Sequence, residues 1–272
     1  MAQTREIAYP LVFTAPQLSY LLALVNAESL LGSDEQALFP RDTALRESQW
    51  AQGRDQLEAD RWLVYDEEAK HYDINDQLME IIATMADPGI VVLSKWEANL
   101  QQHGAAHYLT PGLIVEMAIV DREYHIYALE SQAQLVDRLV AATNFPAERR
   151  DDLAFVLPRQ DVDQAKRNPN ASWLESRGLS PQAADVFAAT LRQPQLYGMV
   201  TVLRTYQGKA LTMRLLGIIT AAPGYGWLAT PQEGERVRYE LADSQEFGGQ
   251  LSALIEELAT TPIDELVETQ DS

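Results

Sequence analysis

The chain has 272 residues, 21 Lys+Arg against 40 Asp+Glu, and a formal charge of −19. Such a length suits one large domain or two of about 130 residues, and an apolar fraction of 46% argues against disorder. The excess of acid speaks against binding that tracks nucleic-acid phosphates or an anionic membrane surface, and the absence of cysteine excludes a disulfide framework, a thiol nucleophile and thiolate metal ligands.

Residues 1–6 carry one arginine beside a glutamate, and no apolar run with a small-residue cleavage site follows. No secretory signal is expected, and the cytoplasm is the expected location. The most apolar stretch, 18–31, is broken by Ser19, Asn26, Glu28 and Ser29. It is shorter than the roughly 20 residues that a bilayer span needs.

Thr14-Ala15-Pro16 is a good helix start, with a capping threonine and proline in the first turn. Leu18, Leu21, Leu22, Val25 and Leu30 follow at helical spacing. A second helix is predicted over 43–60, a hairpin over 62–74, and a third helix over 75–85, stopped by Asp87-Pro88-Gly89. Residues 90–93 read as a buried strand and 97–106 as a long polar loop. Strands are predicted over 112–121 and 123–129, then a helix over 132–143. In the second half a helix over 161–176 is broken at Asn168-Pro169-Asn170, and a firmer one covers 181–192. Strands follow over 198–206, 211–220, 226–230 and 236–241, then a last helix over 245–259. From Leu251 onward there are six acidic residues and no basic one, so 261–272 reads as a solvated acidic tail.

The two halves share an order. A helix ends in Leu57-Glu58-Ala59-Asp60-Arg61-Trp62-Leu63, and again in Leu174-Glu175-Ser176-Arg177-Gly178-Leu179. An apolar helix, a proline break, a strand meander and a closing helix follow in each half. This predicts one α+β domain over 1–272, made of two pseudo-repeats at about 10–146 and 147–260. Its meanders would join in a central, mostly antiparallel sheet with helical parts and a pseudo-twofold axis. The hairpin over 62–74 has no counterpart in the second half and gives the N-terminal region a winged-helix look.

This layout resembles the EspG family of cytosolic chaperones of type VII secretion. The resemblance is carried by Thr14-Ala15-Pro16-Gln17-Leu18, the helix ending at 57–63, Gly178-Leu179 before a helix, the strand at 198–205, Gly224-Tyr225-Gly226-Trp227 and the final leucine-rich helix at 251–258. It implies a quasi-twofold α+β fold that binds a helical secreted protein or heterodimer, such as a PE–PPE pair, without catalysis or cofactor. The family's usual contact regions are the loop between the second and third sheet strands and the C-terminal helical part. On this chain that loop is 96–108, so Trp96, Leu100 and Tyr108 are candidate protein contacts, with Tyr206 at a strand end. The winged-helix look leaves a second reading open, a transcription regulator whose C-terminal half senses a ligand. The 43–61 segment argues against a DNA-reading helix, because Arg46, Arg54 and Arg61 are offset by Glu47, Asp55, Glu58 and Asp60.

Other motifs read as structural. His103 and His107 are spaced for one helix face but lie in a predicted loop with no acidic third ligand, so no metal site is expected. His125 alternates with Tyr124 and Tyr127 in a strand. Gly224-Tyr225-Gly226-Trp227-Leu228-Ala229 matches a loose dinucleotide fingerprint, but no helix can follow it, since Pro231 and Gly234 come next. The clusters Asp66-Glu67-Glu68 and Glu256-Glu257 fall in a turn and on a helix end, where solvation explains them.

Overall fold

Two antiparallel meanders meet at their first strands and form one sheet. The computed structural model describes residues 4–222, 224–263 and 266. The first half runs β1 (Leu11–Phe13), α1 (Ala15–Leu24), α2 (Glu35–Leu38), α3 (Thr43–Ala59), the hairpin β2 (Leu63–Asp66) and β3 (His71–Ile74), and α4 (Asp76–Ala86). It continues through β4 (Ile90–Ala98), β5 (Gln101–Leu109), β6 (Ile114–Val120), β7 (Glu123–Leu129) and α5 (Gln132–Thr143). The second half runs β8 (Ala154–Pro158), α6 (Arg159–Arg167), α7 (Ala171–Ser176), α8 (Pro181–Arg192), β9 (Pro194–Tyr206), β10 (Lys209–Ala221), β11 (Tyr225–Gln232), β12 (Arg236–Leu241) and α9 (Ser244–Thr260).

The ten-stranded sheet has the order β1-β7-β6-β5-β4-β9-β10-β11-β12-β8, with every pair antiparallel. Outward from the β4–β9 seam, each half gives a four-strand meander. Its outer edge is closed by a strand that precedes the helices in sequence. The seam itself pairs Ile90 with Arg204 through Ala98 with Leu196.

Side chains alternate across the sheet, so each strand feeds both faces. On one face Val91, Tyr108, Val115, Met117 and Ile126 pack under α1, α3 and α4, while Ile219, Trp227 and Tyr239 pack under α6–α8 at the other end. On the opposite face Val92, Val200, Val202 and Ile218 are covered by α5 and α9. The helices form where their apolar spacing demands. Leu78, Ile81, Ile82 and Met85 are the buried stripe of α4, and Ala184, Phe187, Ala188 and Leu191 that of α8. Thr14 and Gln17 close a capping box on α1, and Ser131 and Ser180 cap α5 and α8.

The structure corrects the expected loop over 97–106, and with it the 96–108 loop. These residues are a β-hairpin, β4 and β5, turned by Asn99 and Leu100 alone. The outer half of β5, Gln-Gln-His-Gly, is exposed and carries no apolar alternation, so only its ladder hydrogen bonds mark it as strand. The edge strands β1 and β8 are three and five residues long and show too little pattern to be read from sequence. The first helix ends at Leu24 rather than carrying Leu30, because Asn26 takes a left-handed conformation, φ 56°.

The crossing of α1 on α3 depends on Gly53. A Cβ there would lie 2.1 Å from the Pro16 carbonyl oxygen. Gly53→Ala is therefore predicted to destabilise the fold by roughly 1–3 kcal/mol through overpacking, despite the gain of about 1 kcal/mol in helix propensity. Urea unfolding followed by circular dichroism measures it.

Candidate functional site

Between the two helical groups, the middle of the sheet face is uncovered and forms a trough. Its floor is Leu93, Lys95 and Ala106 from one half and Met199, Thr201, Gly217 and Ala229 from the other. Two adjoining hollows of about 410 and 280 Å³ share Lys95 and Met199. Gly32 walls one end, and Lys166 of α6 with Tyr197 walls the other. Small residues let the floor stay low: a Cβ on Gly217 would meet the Ala229 Cβ at 3.0 Å. Met199 is 46% exposed and Met213, on the same face, 57%. Exposed, flexible thioethers on a sheet face suit an adaptable apolar partner.

The trough is also a local exception to the acidity of the chain. Only four residues are lysine, and Lys95 and Lys166 both line it. Among the described residues no carboxylate lies within 4.0 Å of either ammonium. Lys166 Nζ sits 5.8 Å from the centre of the Tyr197 ring.

The β4–β5 hairpin projects beyond the trough. Asn99 and Leu100 have φ of 53° and 63°, the paired left-handed geometry of a two-residue turn. Glycine is the usual second residue of such a turn, yet Leu100 stands there with 93% of its surface exposed. The matching turn between β9 and β10 uses Gln207 and Gly208, with φ of 49° and 72°.

The four residues expected as contacts do not form one site. Leu100 is at the hairpin tip, and Trp96, three pairs inside it, faces the α5–α9 side and stacks on His103 at 6.0 Å. Tyr108 is fully buried under the N-terminal helices, and its hydroxyl donates to the Leu31 carbonyl at 2.7 Å. Burial pushes its pKa up, so Tyr108 is a core residue with no surface to offer. Tyr206 is 45% exposed but ends β9 beside the Ile90 end of the seam. That places it roughly 35 Å from Leu100 along strands rising 3.3–3.4 Å per residue. The trough residues Lys95, Lys166 and Met199 escaped the sequence reading. Their only signal was the scarcity of lysine, because a floor shared by two distant strands has no local pattern.

The histidines and the glycine motif take structural places. His107 is fully buried, with Nε2 3.0 Å from Glu116 Oε2, and Arg138 Nε donates to the same oxygen at 2.7 Å. Burial alone would raise the Glu116 pKa, but the bonds from His107 and Arg138 outweigh it and hold the carboxyl at about 2. Among the described residues no group of three His, Asp or Glu is placed to hold a metal ion. Gly224, at φ 89°, turns β10 into β11, and a strand rather than a helix follows. Among the described residues no helix is long and apolar enough to cross a membrane.

The sequence matches no protein-family model and no curated protein. The structure is similar to the Mycobacterium tuberculosis type VII secretion system chaperone EspG5, solved in complex with a PE25–PPE41 dimer. The TM-score is 0.64 at 13% identity, over 90% of this chain and 95% of that one. The chain thus has an EspG-like α+β fold built on a large antiparallel sheet.

Because the folded carboxyl of Glu116 holds its charge down to about pH 2, the unfolded chain takes up the proton first as pH falls. The stabilisation it gives is therefore full above the ordinary carboxylate range and is lost on descent toward pH 2. Wild type is predicted to exceed Glu116→Gln by roughly 1–3 kcal/mol at pH 7. The gap should close between pH 4.5 and 2 in denaturant titrations.

Proposed function

We propose that the protein is a non-catalytic chaperone, working in the cytoplasm, that docks the helical tip of a secreted protein in the trough and against the hairpin tip. The observation that carries this reading is the uncovered floor with Met199 and Lys95 between two helical groups, with an exposed Leu100 at the tip of the hairpin that projects beyond it. The fold likeness to a chaperone solved with a PE–PPE dimer supports it. A helical secreted heterodimer is accordingly the partner class. The acidity of the whole chain favours a partner with a basic patch. At the trough itself Lys95 and Lys166 favour carboxylates on an otherwise apolar insert. We also read residues 10–146 and 147–260 as pseudo-repeats, a reading supported by the matching strand order of the halves.

Leu100 separates binding from folding. A leucine held at positive φ costs about 1–2 kcal/mol relative to an ordinary backbone conformation, and strain of this kind collects at ligand-contacting positions. Leu100→Gly is predicted to stabilise the free protein by about 1 kcal/mol while weakening capture of the secreted partner about tenfold. Lys95→Glu with Lys166→Glu should weaken capture at least as much with unchanged melting.

Affinity capture of the tagged protein from its host, with the bound chain identified by mass spectrometry, supplies the partner for both tests. A helical secretion substrate lost in both variants fits the reading. Equal capture by all three proteins, or recovery of DNA that leaves with salt, contradicts it.

A further inference from the structure

Two neighbouring hairpins of the sheet separate toward their tips. β5 and β6 are paired from Leu109 with Ile114 to Ala105 with Ala118, and their ladder stops there. β5 runs on to Gln101 alongside β4, and β6 runs on to Val120 alongside β7. Each hairpin is closed by two residues at positive φ, Asn99-Leu100 and Asp121-Arg122. The result is a fork, with residues 101–104 of β5 on one side and 119–120 of β6 on the other.

The β5 side of this fork is a free strand edge. Backbone groups along an antiparallel strand point alternately to its two neighbours. The Leu109 carbonyl accepts from Gly89 on the β4 side, and the Thr110 N–H donates to Leu113 on the β6 side. The unbroken register from there to Gln101 carries the alternation along the strand, so Gln102 turns its N–H and C=O into the fork. No described residue is its ladder partner on that side. Exposed edges are commonly guarded by lysine, proline or a bulge. Here 101–104 is Gln-Gln-His-Gly, exposed and in regular pairing with β4. Across the fork Ile119 and Val120 are each 46% exposed.

Hollows on both faces of the sheet reach the fork. One, of about 410 Å³, is the trough side with Leu93 and Met117, and the other, of about 480 Å³, lies against α5 with Trp96, Val120 and Ala141. They share Gln102, His103, Gly104, Ala105 and Ile119. A helix laid on the sheet fills only one of them. An extended chain fills both, because its successive side chains point to opposite faces.

We propose that the fork binds an extended peptide segment as a strand added to the edge of β5, with apolar side chains at alternate positions entering the two hollows. The fork holds its occupant by backbone hydrogen bonds, so it does not depend on the chaperone reading.

The test starts from random octapeptides displayed on phage, depleted on Gln102→Pro and selected on the intact wild-type chain. Proline at 102 removes an N–H that does not bond to β4, so it blocks the edge and spares the hairpin ladder. Selected peptides should carry apolar residues at alternate positions and bind wild type at least tenfold more tightly than Gln102→Pro. By NMR, a synthetic selected peptide should slow exchange of the Gln102 amide at least tenfold, leave the His103 amide unchanged because it already bonds to β4, and shift the Ile119 and Val120 methyls. Of two copies of the peptide, N-methylated on one or the other alternate set of residues, at least one should lose binding. No enrichment over Gln102→Pro, selected peptides without alternation, or retained binding by both N-methylated copies overturns the proposal. Should Gln102→Pro fail to fold, selection on wild type alone, the amide-exchange pattern and the N-methylated copies still decide it.

Discussion

The structure depends on the antiparallel pairing of β4 with β9. Nine consecutive residues of each strand face one another there, from Ile90 with Arg204 to Ala98 with Leu196. This is a contact between residues 98 to 114 positions apart, so its loop-closure entropy is offset only when both meanders are formed. Once made, it fuses two half-cores. Val92, Val200 and Val202 become one layer under α5 and α9, and Leu203 reaches the core of the other half. It also sets the width of the open face, because the helical groups cover Val91 and Leu203 at one end of the seam and leave its stretch around Lys95 and Met199 bare between them.

That bareness links fold to function. A sheet centre is usually the best-covered part of an α+β domain. Here the seam positions on the open face are Leu93, Lys95, Met199 and Thr201, a mixture that neither closes a core nor behaves as ordinary solvated surface. Two lysines that, among the described residues, make no ion pair within 4.0 Å give the floor a sign in so acidic a chain, and the strained leucine turn stands beyond it. The face across the sheet is closed at its centre by α5 and α9. It is tied at its edge by the Glu116 carboxylate, which holds α5 to β6 through Arg138.

Much of the fold was legible from residues alone. Helices α5 and α8 match their sequence boundaries because each has a serine cap, an apolar stripe and a clear stop at Asn144 or Gln193. The strands of both meanders, at 114–120, 123–129, 209–221 and 225–232, also fall close to where the residue pattern puts them. What escaped was set by partners distant in sequence. The outer half of β5 is strand only because β4 bonds to it, and β1 is three residues that pair with β7. The candidate contacts suffered likewise. Placing Tyr108 in a loop made it look exposed, whereas strand alternation turns it into the core, and Lys95 one strand over went unnoticed although the same alternation brings it to the trough.

The most direct test places a photoreactive phenylalanine analogue at Met199, at Leu100 and at Tyr206 in turn, in the native host. The account predicts crosslinks from the first two positions to one helical secreted protein, mapped to the tip of its helices, and none from Tyr206 at the far end of the seam. Crosslinking only from Tyr206, or none from Met199 while the partner still co-purifies, would contradict docking in the trough.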